Sequence, residues 1–435
     1  MMNTIQGMIE FLGASCSAFH AIDALARKLK SAGYMQLQEG TAWDLAPGGK
    51  YFLTRNQSSL IAFAIPQCGF APLQIVASHS DSPVFKLKKA AQVESQGHYV
   101  QLNVEKYGGM LMNTWLDRPL SIAGRVIVKN GTKLETRLVN VDRDLVLIPN
   151  LAIHMNRDLA DGGKYNAQVD MMPLLGGADA KGKLDAIIAE AAGAEVQQIV
   201  GSDLYLYNRM QPSVWGASGE YISAPRLDDL ECAYTSTEAF IRAVPGKHIN
   251  MLCVFDNEEV GSGTRQGADS MLLADVVRRI AHALQADEQQ VQAALASSFM
   301  VSADNAHAAH PNHPEKADAQ NRPYMNEGIV VKFSANQKYT SDGVTAAVFA
   351  DICGRADVPV QYFHNRSDVI GGSTLGNISG THVSIMAVDI GLAQLAMHSS
   401  YETAGVQDVQ HMVDGLKAFY ESEIRLVGDG EIEIG

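Results

Sequence analysis

Three carboxylates crowd the end of one apolar run. In the stretch HINMLCVFDNEEVG, residues 248–261, Ile249–Phe255 is long enough for one buried strand and too short for a helix. The run stops at Asp256, Asn257, Glu258 and Glu259, and Gly261 and Gly263 then break the pattern. Carboxylates gathered at the end of a buried strand repel one another and cost desolvation, so a positive charge must offset them. A solvated acidic loop after a core strand is the plain alternative. A metal site, with one Glu on the ion and its neighbour free as a base, requires other strands to deliver ligands in the same way.

Other strands do. Residues 73–77 form a second apolar run and lead into Ser78-His79-Ser80-Asp81-Ser82-Pro83. Phe299–Ala303 ends at Asp304, residues 384–389 are followed by His398, and residues 223–230 read SAPRLDDL with Asp228 and Asp229. Residues 358–363 lead to Arg366-Ser367-Asp368 and the glycine-rich 371–376. Sites in open α/β sheets form at the carboxyl edge of the strands, and repetition there favours the metal over the acidic loop. His79, Asp228, Glu259, Asp304 and His398 form a set of imidazole and carboxylate suited to one or two zinc-like ions, a carboxylate bridging when there are two. Paired metals about 3.5–4 Å apart lower the pKa of a water between them and polarise a carbonyl. Glu258 could take that water's proton and pass it to a leaving amine. Asp81, two residues after His79, could orient the imidazole through its other nitrogen.

Competing chemistries lack their residues. There is no H-E-x-x-H and no Walker A, and Gly371-Gly372-Ser373-Thr374-Leu375 lacks the final glycine of a nucleophile elbow. Gly261-Ser262-Gly263 without the rest of a dinucleotide fingerprint reads as a turn.

The elements that must position these residues come in two textures. Residues 5–12 and 19–29 have helical spacing, with Ser17 as N-cap and Gly33 as stop, and 51–53 with 59–66 read as a hairpin. From about Phe85 to Tyr221 the chain alternates as β-strands do (99–104, 120–128, 136–138), with a helix over 184–196 and few acids or histidines at strand ends. Helices follow through Arg242, over 271–284 and over 289–296. The expected fold is α/β: a mixed β-sheet flanked by helices, made from residues 1–85 plus 223–435, with a β-rich domain inserted at 86–222.

Over 435 residues the net charge is −14, which argues against nucleic acid and anionic membrane as partners. Five scattered cysteines without a C-x-x-C pair exclude a disulfide framework and a cysteine zinc site, and point to a reducing cytoplasm. No apolar run approaches a membrane span, and Glu10 interrupts an N-terminus that lacks the basic start of a secretory signal.

SHSD at 78–81, PRLDD at 225–229, DNEEVG at 256–261, SADNAHAAHPN at 302–312 and QLAMHS at 394–399 resemble, in that order, the aspartyl aminopeptidase family. The resemblance runs through nearly the whole chain. It implies a zinc-exopeptidase fold and a cytosolic exopeptidase with two zinc ions per subunit, cobalt or manganese being alternatives. It also implies that His79 and Asp304 hold one ion, Glu259 and His398 the other, and that Asp228 bridges them. Glu258 is then the general base and Asp81 orients His79, with substrate contacts at His307, Lys332 and Tyr339. His154, in LAIHMN, matches a histidine lent to a neighbouring subunit, and the inserted domain is expected to mediate dimers that assemble into a tetrahedral dodecamer. Lys332 would favour peptides that begin with Asp or Glu. The alternatives are a preference for neutral residues such as Leu, a related amidohydrolase, and a catalytically silent scaffold. Asn377 stands where some members have proline.

Overall fold

The structure, a computed structural model, describes residues 2–157, 163–369, 371–372 and 374–435. Ser373 of the glycine-rich stretch lies outside them. Two helices open the chain, α1 (Met2–Ala14) and α2 (Ala18–Ser31), and α2 buries Phe19, Ile22, Leu25 and Leu29 along one face. Ser17 does take the N-cap position, but its hydroxyl pairs with His20 Nδ1 at 2.8 Å instead of capping a backbone N–H. Strands β1 (Met35–Gln36), β2 (Lys50–Arg55), β3 (Ser59–Ala64) and β4 (Leu73–His79) follow, β2 and β3 as the expected hairpin.

After β4 the chain leaves this sheet and builds another. Strands β5 (Val84–Ser95), β6 (Tyr99–Tyr107), β7 (Leu120–Asn130), β8 (Lys133–Asn140), β9 (Leu174–Gly177) and β10 (Ile199–Asn208) pair in the order β8-β7-β10-β5-β6-β9. This antiparallel sheet has its own core around Phe85, Leu102, Trp115, Ile122 and Leu206. Its helix α3 (Lys183–Ala192) stops short of residue 196 because Gly193 takes a left-handed φ of 59° and closes the last turn.

The chain then returns through β11 (Ser213–Trp215), β12 (Tyr221–Ala224), α4 (Leu227–Arg242), β13 (Ile249–Phe255), α5 (Leu272–Ala283), α6 (Glu288–Ala296), β14 (Phe299–Ala303) and β15 (Ala306–His307). It continues with β16 (Ile329–Phe333), α7 (Gly343–Arg355), β17 (Val360–His364), α8 (Leu375–Ser379), β18 (Met386–Gly391), β19 (Ala393–Leu395), β20 (Glu402–Gly405) and α9 (Val406–Glu421). A hairpin, β21 (Ile424–Gly428) and β22 (Glu431–Ile434), ends it. β17 starts two residues later than the pattern suggests, because Val358 N–H closes α7 on the Cys353 carbonyl and Pro359 has no N–H for a ladder.

Nine strands make the central sheet, ordered β1-β2-β3-β13-β4-β14-β18-β16-β17. Its middle strands β13, β4, β14 and β18 are mutually parallel, so all four end at one edge. Alternation along them feeds two cores. Ile249, Met251, Cys253 and Phe255 pack with α5, whereas Leu252 and Val254 face the side of α4 and α9. A five-stranded sheet, β11-β12-β20-β19-β15, sits at the ends of the parallel strands and carries the chain through His398.

Gly391 shows how tightly that edge is drawn. A Cβ there would stand 2.0 Å from the Asp304 carbonyl oxygen. Gly391→Ala is therefore expected to destabilise the fold by about 1–3 kcal/mol through overpacking. Urea unfolding measures it, and an unchanged midpoint would show that the β14–β18 edge yields without cost.

Candidate metal centre

Each ligand-type residue stands where regular structure stops. His79 is the last residue of β4, Glu258 and Glu259 follow β13 in a single 3-10 turn, and Asp304 follows β14 directly. Asp228 and Asp229 sit at the start of α4 with non-helical backbone angles, so their carboxylates leave the helix axis. His398 lies between β19 and β20. Arg226, Asn257 and His398 hold positive φ values of 61°, 64° and 66°. Such angles cost a non-glycine side chain and concentrate at functional sites.

The carboxylates surround His79. Its Nδ1 faces the Asp81 carbonyl at 3.1 Å, so in the neutral ring the proton is assigned to Nδ1 and Nε2 keeps its lone pair for a cation. Nε2 lies 3.7 Å from Asp228 Oδ1, 3.8 Å from Asp304 Oδ1, 3.9 Å from Glu258 Oε2 and 4.0 Å from Asp229 Oδ2. On the other side, His398 Nε2 is 3.2 Å from Asp228 Oδ2 and 3.3 Å from Glu259 Oε2. Asp228 thus turns one oxygen to each histidine. The four spacings around His79 are too long for hydrogen bonds. Two donors at about 2.1 Å from one zinc, held at the tetrahedral angle, stand roughly 3.4 Å apart, close to what the cluster shows.

Buried oxygens without partners make the same point. Asp228 Oδ1, Asp229 Oδ1 and Glu259 Oε1 accept no hydrogen bond although each is shut off from solvent. Orphaned buried carboxylate oxygens are expensive unless a cation meets them. The donors are all nitrogen and oxygen, so the residues fit zinc, and no thiolate takes part.

Charge sets the acidities. Burial first, and then the carboxylates of Asp304, Asp81 and Asp228, push Glu258 up to about 8 against the pull of His79. Burial and Asp228 likewise raise Glu259. Burial also opposes a charged His79, but Asp229, Asp304, Asp81 and Glu258 outweigh it and raise the ring's pKa. Asp304 goes the other way: against burial, Lys332 and His79 hold it below the carboxylate range.

Asp81 does more than face His79. Its carboxylate accepts the N–H groups of Glu258 and Glu259 at 3.1 and 3.2 Å, so it also fixes the turn that carries them. Sequence reasoning missed Glu402. This fully buried side chain accepts from Asp228 N–H at 3.0 Å and from His398 N–H at 2.6 Å, joining two segments distant in sequence. Its signal was an acid four residues after a candidate histidine, unremarkable on its own. Asp229, noticed but not selected, accepts the His79 N–H at 3.0 Å.

The expected substrate contacts divide. His307 is surface-accessible yet set in a concavity of about 470 Å³ with His310, Lys316, Phe363, His364 and Arg366, and the surrounding protein lowers its pKa by desolvation. Lys332 is buried, donating to the Asp304 carbonyl at 2.7 Å and lying 3.5 Å from its carboxylate, with the Tyr339 ring 5.1 Å away. Tyr339 is buried beside it. His154 is exposed on the loop before the undescribed residues 158–162, and none of the contacts that assemble the cluster involves it.

Known proteins resemble this chain along its length. A family profile described as "Aminopeptidase I zinc metalloprotease (M18)" matches residues 11–420. A relative from Clostridium novyi (strain NT), "Probable M18 family aminopeptidase 2", is 43% identical over 424 residues, spanning 95% of this chain and 97% of its own. Among solved structures, "Cryo-EM structure of the Ape4 and Nbr1 complex" superposes with a TM-score of 0.92 at 32% identity, covering 96% of this chain and 85% of that one. "Structure of S. cerevisiae mApe1 dodecamer" gives 0.84 at 28% identity, with 95% of each chain covered.

The raised carboxyls fix a pH dependence for metal-stripped protein. Glu258, pushed to about 8, and Asp256, pushed to about 7, hold protons in the folded chain that they lose at lower pH when unfolded. Between about pH 4.5 and 8 the unfolded state binds fewer protons, so stability falls as pH rises. Chelated protein is expected to melt lower at pH 8 than at pH 5, and zinc to raise the melting point more at pH 8. A zinc effect independent of pH would contradict it.

Proposed function

The chain belongs to the M18 family of zinc aminopeptidases, hydrolases acting on peptides, and on that footing we propose that it releases the first residue of peptides at a centre of two zinc ions. Asp228 carries the reading: its two oxygens face different histidines, at 3.7 and 3.2 Å, which supports an ion on each side. His79 and Asp304 then hold one ion, Glu259 and His398 the other, and Asp228 is shared. The same nitrogen and oxygen donors would accept cobalt or manganese. Bound zinc lowers the pKa of a water and polarises the scissile carbonyl. Glu258 is the base. Its carboxylate takes the water's proton and returns it to the departing amine, while Asp81 fixes His79 and the turn bearing Glu258. His307, which feels the charges of Asp228, Asp304 and His398, is assigned to contact the substrate.

For the first residue we favour an acidic side chain, drawn by Lys332. One observation supports a preference for neutral residues such as Leu instead: the Lys332 ammonium is already engaged by Asp304. The dodecamer among the similar structures supports self-association; we propose that the six-stranded sheet is the dimerising domain, that dimers assemble tetrahedrally, and that His154 reaches a neighbouring subunit's site. Exposed Leu151, Ile153 and Met155 around His154 are consistent with such a contact. Five free cysteines suit the cytoplasm, and among the described residues no helix is long and apolar enough to cross a membrane.

Glu258→Gln is expected to lower kcat by roughly 100- to 10,000-fold while leaving zinc content and assembly intact. Wild-type turnover in that variant would sink the mechanism. Matched peptides starting with Asp and with Leu test the substrate. Under the favoured reading Asp is released faster, and Lys332→Met cuts the Asp:Leu ratio by about tenfold, the worth of one charged contact, with zinc retained. Equal losses on both peptides together with zinc loss would make Lys332 a support for Asp304.

A further inference from the structure

The cluster is closed on one side by the inserted sheet. β6 ends at Tyr107, whose hydroxyl donates to Asp81 Oδ2 at 2.6 Å and accepts from Asn257 Nδ2 at 2.8 Å. Asp81 is itself the residue that faces His79 Nδ1 and receives the amides of Glu258 and Glu259. A single phenol therefore reaches the base-bearing turn through one buried carboxylate, whose Oδ1 also lies 3.5 Å from His79 Nδ1. It also holds Asn257, the left-handed residue from which that turn starts.

The next residues extend the contact. Gly108 has a φ of 72° and lies against Glu259, where an added Cβ would stand 3.1 Å from the Glu259 Cβ and 3.3 Å from its carbonyl oxygen. Leu111 N–H donates to the His398 carbonyl at 3.1 Å. Thr114 accepts the Ser400 N–H at 2.9 Å and the Ser400 hydroxyl at 2.5 Å. One short stretch of the second sheet thus meets Asp81, Glu259 and His398 in succession.

We infer that Tyr107 and Gly108 are positioning residues of the metal centre, so that the inserted sheet of the same chain orients His79 and Glu258 and provides the space in which Glu259 is seated. Asp81 is buried among other acids, and without the phenol it keeps only backbone donors from the turn it is meant to hold. A carboxylate with fewer donors swings towards those that remain, which shifts the Glu258–Glu259 turn it holds and the Oδ1 that stands 3.5 Å from His79 Nδ1. At Gly108 the plain alternative is a glycine kept only for its backbone angle. Gly97, on the β5–β6 turn, separates the two readings: its φ is 70° and nothing lies within 4 Å of its would-be Cβ.

The inference rests on the metal-centre reading above, and the test keeps the two apart. Full-length wild type, Tyr107→Phe, Gly108→Ala, Gly97→Ala and Asp228→Ala would be stripped of metal. Zinc affinity would be measured by chelator competition, cobalt-loaded protein by its visible spectrum, and peptide hydrolysis by kcat and KM. Tyr107→Phe is expected to lose about 10- to 100-fold in zinc affinity or in kcat, the usual cost of losing an outer partner of a metal ligand, with KM little changed and the cobalt bands shifted. Gly108→Ala should lose at least about tenfold in zinc affinity on the same ground, and Gly97→Ala should bind zinc as wild type does. Wild-type zinc affinity, cobalt spectrum and kcat in Tyr107→Phe would overturn the inference, as would equal behaviour of the two glycine variants. Zinc binding that survives Asp228→Ala would overturn the metal reading itself, whereas zinc loss there beside a wild-type Tyr107→Phe would overturn this inference alone.

Discussion

Repulsion among carboxylates at one edge of the central sheet is the constraint that the remaining structure answers. Four parallel strands release the chain at that edge, and Asp81, Asp228, Glu258, Glu259 and Asp304 come out within a few ångströms of two histidines. Lys332 is the one permanent cation in an ion pair with them among the described residues, and it reaches only Asp304. Asp81 is met by hydrogen-bond donors, and Asp228 and Glu259 face only the two histidines among the described basic groups. Burial amplifies this, since a carboxylate away from water loses hydration that only a cation or several donors replace. The cluster is thus an arrangement whose stability is completed from outside the chain.

Holding such an arrangement takes backbone restraint. Asp81 gathers two amides from the Glu258 turn, Glu402 gathers the amides of Asp228 and His398, and Asp229 takes the amide of His79. In each case a buried carboxylate that is not itself among the five expected ligands grips the main chain of one that is, or of its neighbour. This division fits the chemistry: each gripping carboxylate spends at least one oxygen on N–H groups, while Asp228 Oδ1, Glu259 Oε1 and the second oxygen of Asp229 stay buried and free. Three positive-φ residues mark where the main chain bends to allow it, at about 1–3 kcal/mol each, and the rigid strands behind absorb that strain.

Two sheets share the centre. The central sheet contributes the strand ends, and the six-stranded sheet, with a separate hydrophobic core, contributes Tyr107 to Leu111. A site assembled across two cores is sensitive to how those cores pack, because sub-ångström displacement of either changes the distances between the histidines and their carboxylates.

The sequence alone determined the elements and their chemical endings. A nearly uninterrupted apolar run such as Ile249–Phe255, broken only by Asn250, reads as a strand buried on both faces, and the acids after it lie where the strand stops, so a metal-type edge was legible from residue types and order. Helix and strand limits shifted by a few residues where a local bond intervened, as at Gly193 and Pro359. What only the tertiary structure decided is which groups touch across long separations. Glu402 and Tyr107 carry no periodicity and no spacing signal, and their importance consists in lying 2.6 Å from His398 N–H and from Asp81. Lys332 read as the end of an apolar run, and only packing put its ammonium beneath Asp304. Periodicity reports which face of an element is buried; it is silent on what lies opposite, because that partner is chosen by folding of the whole chain.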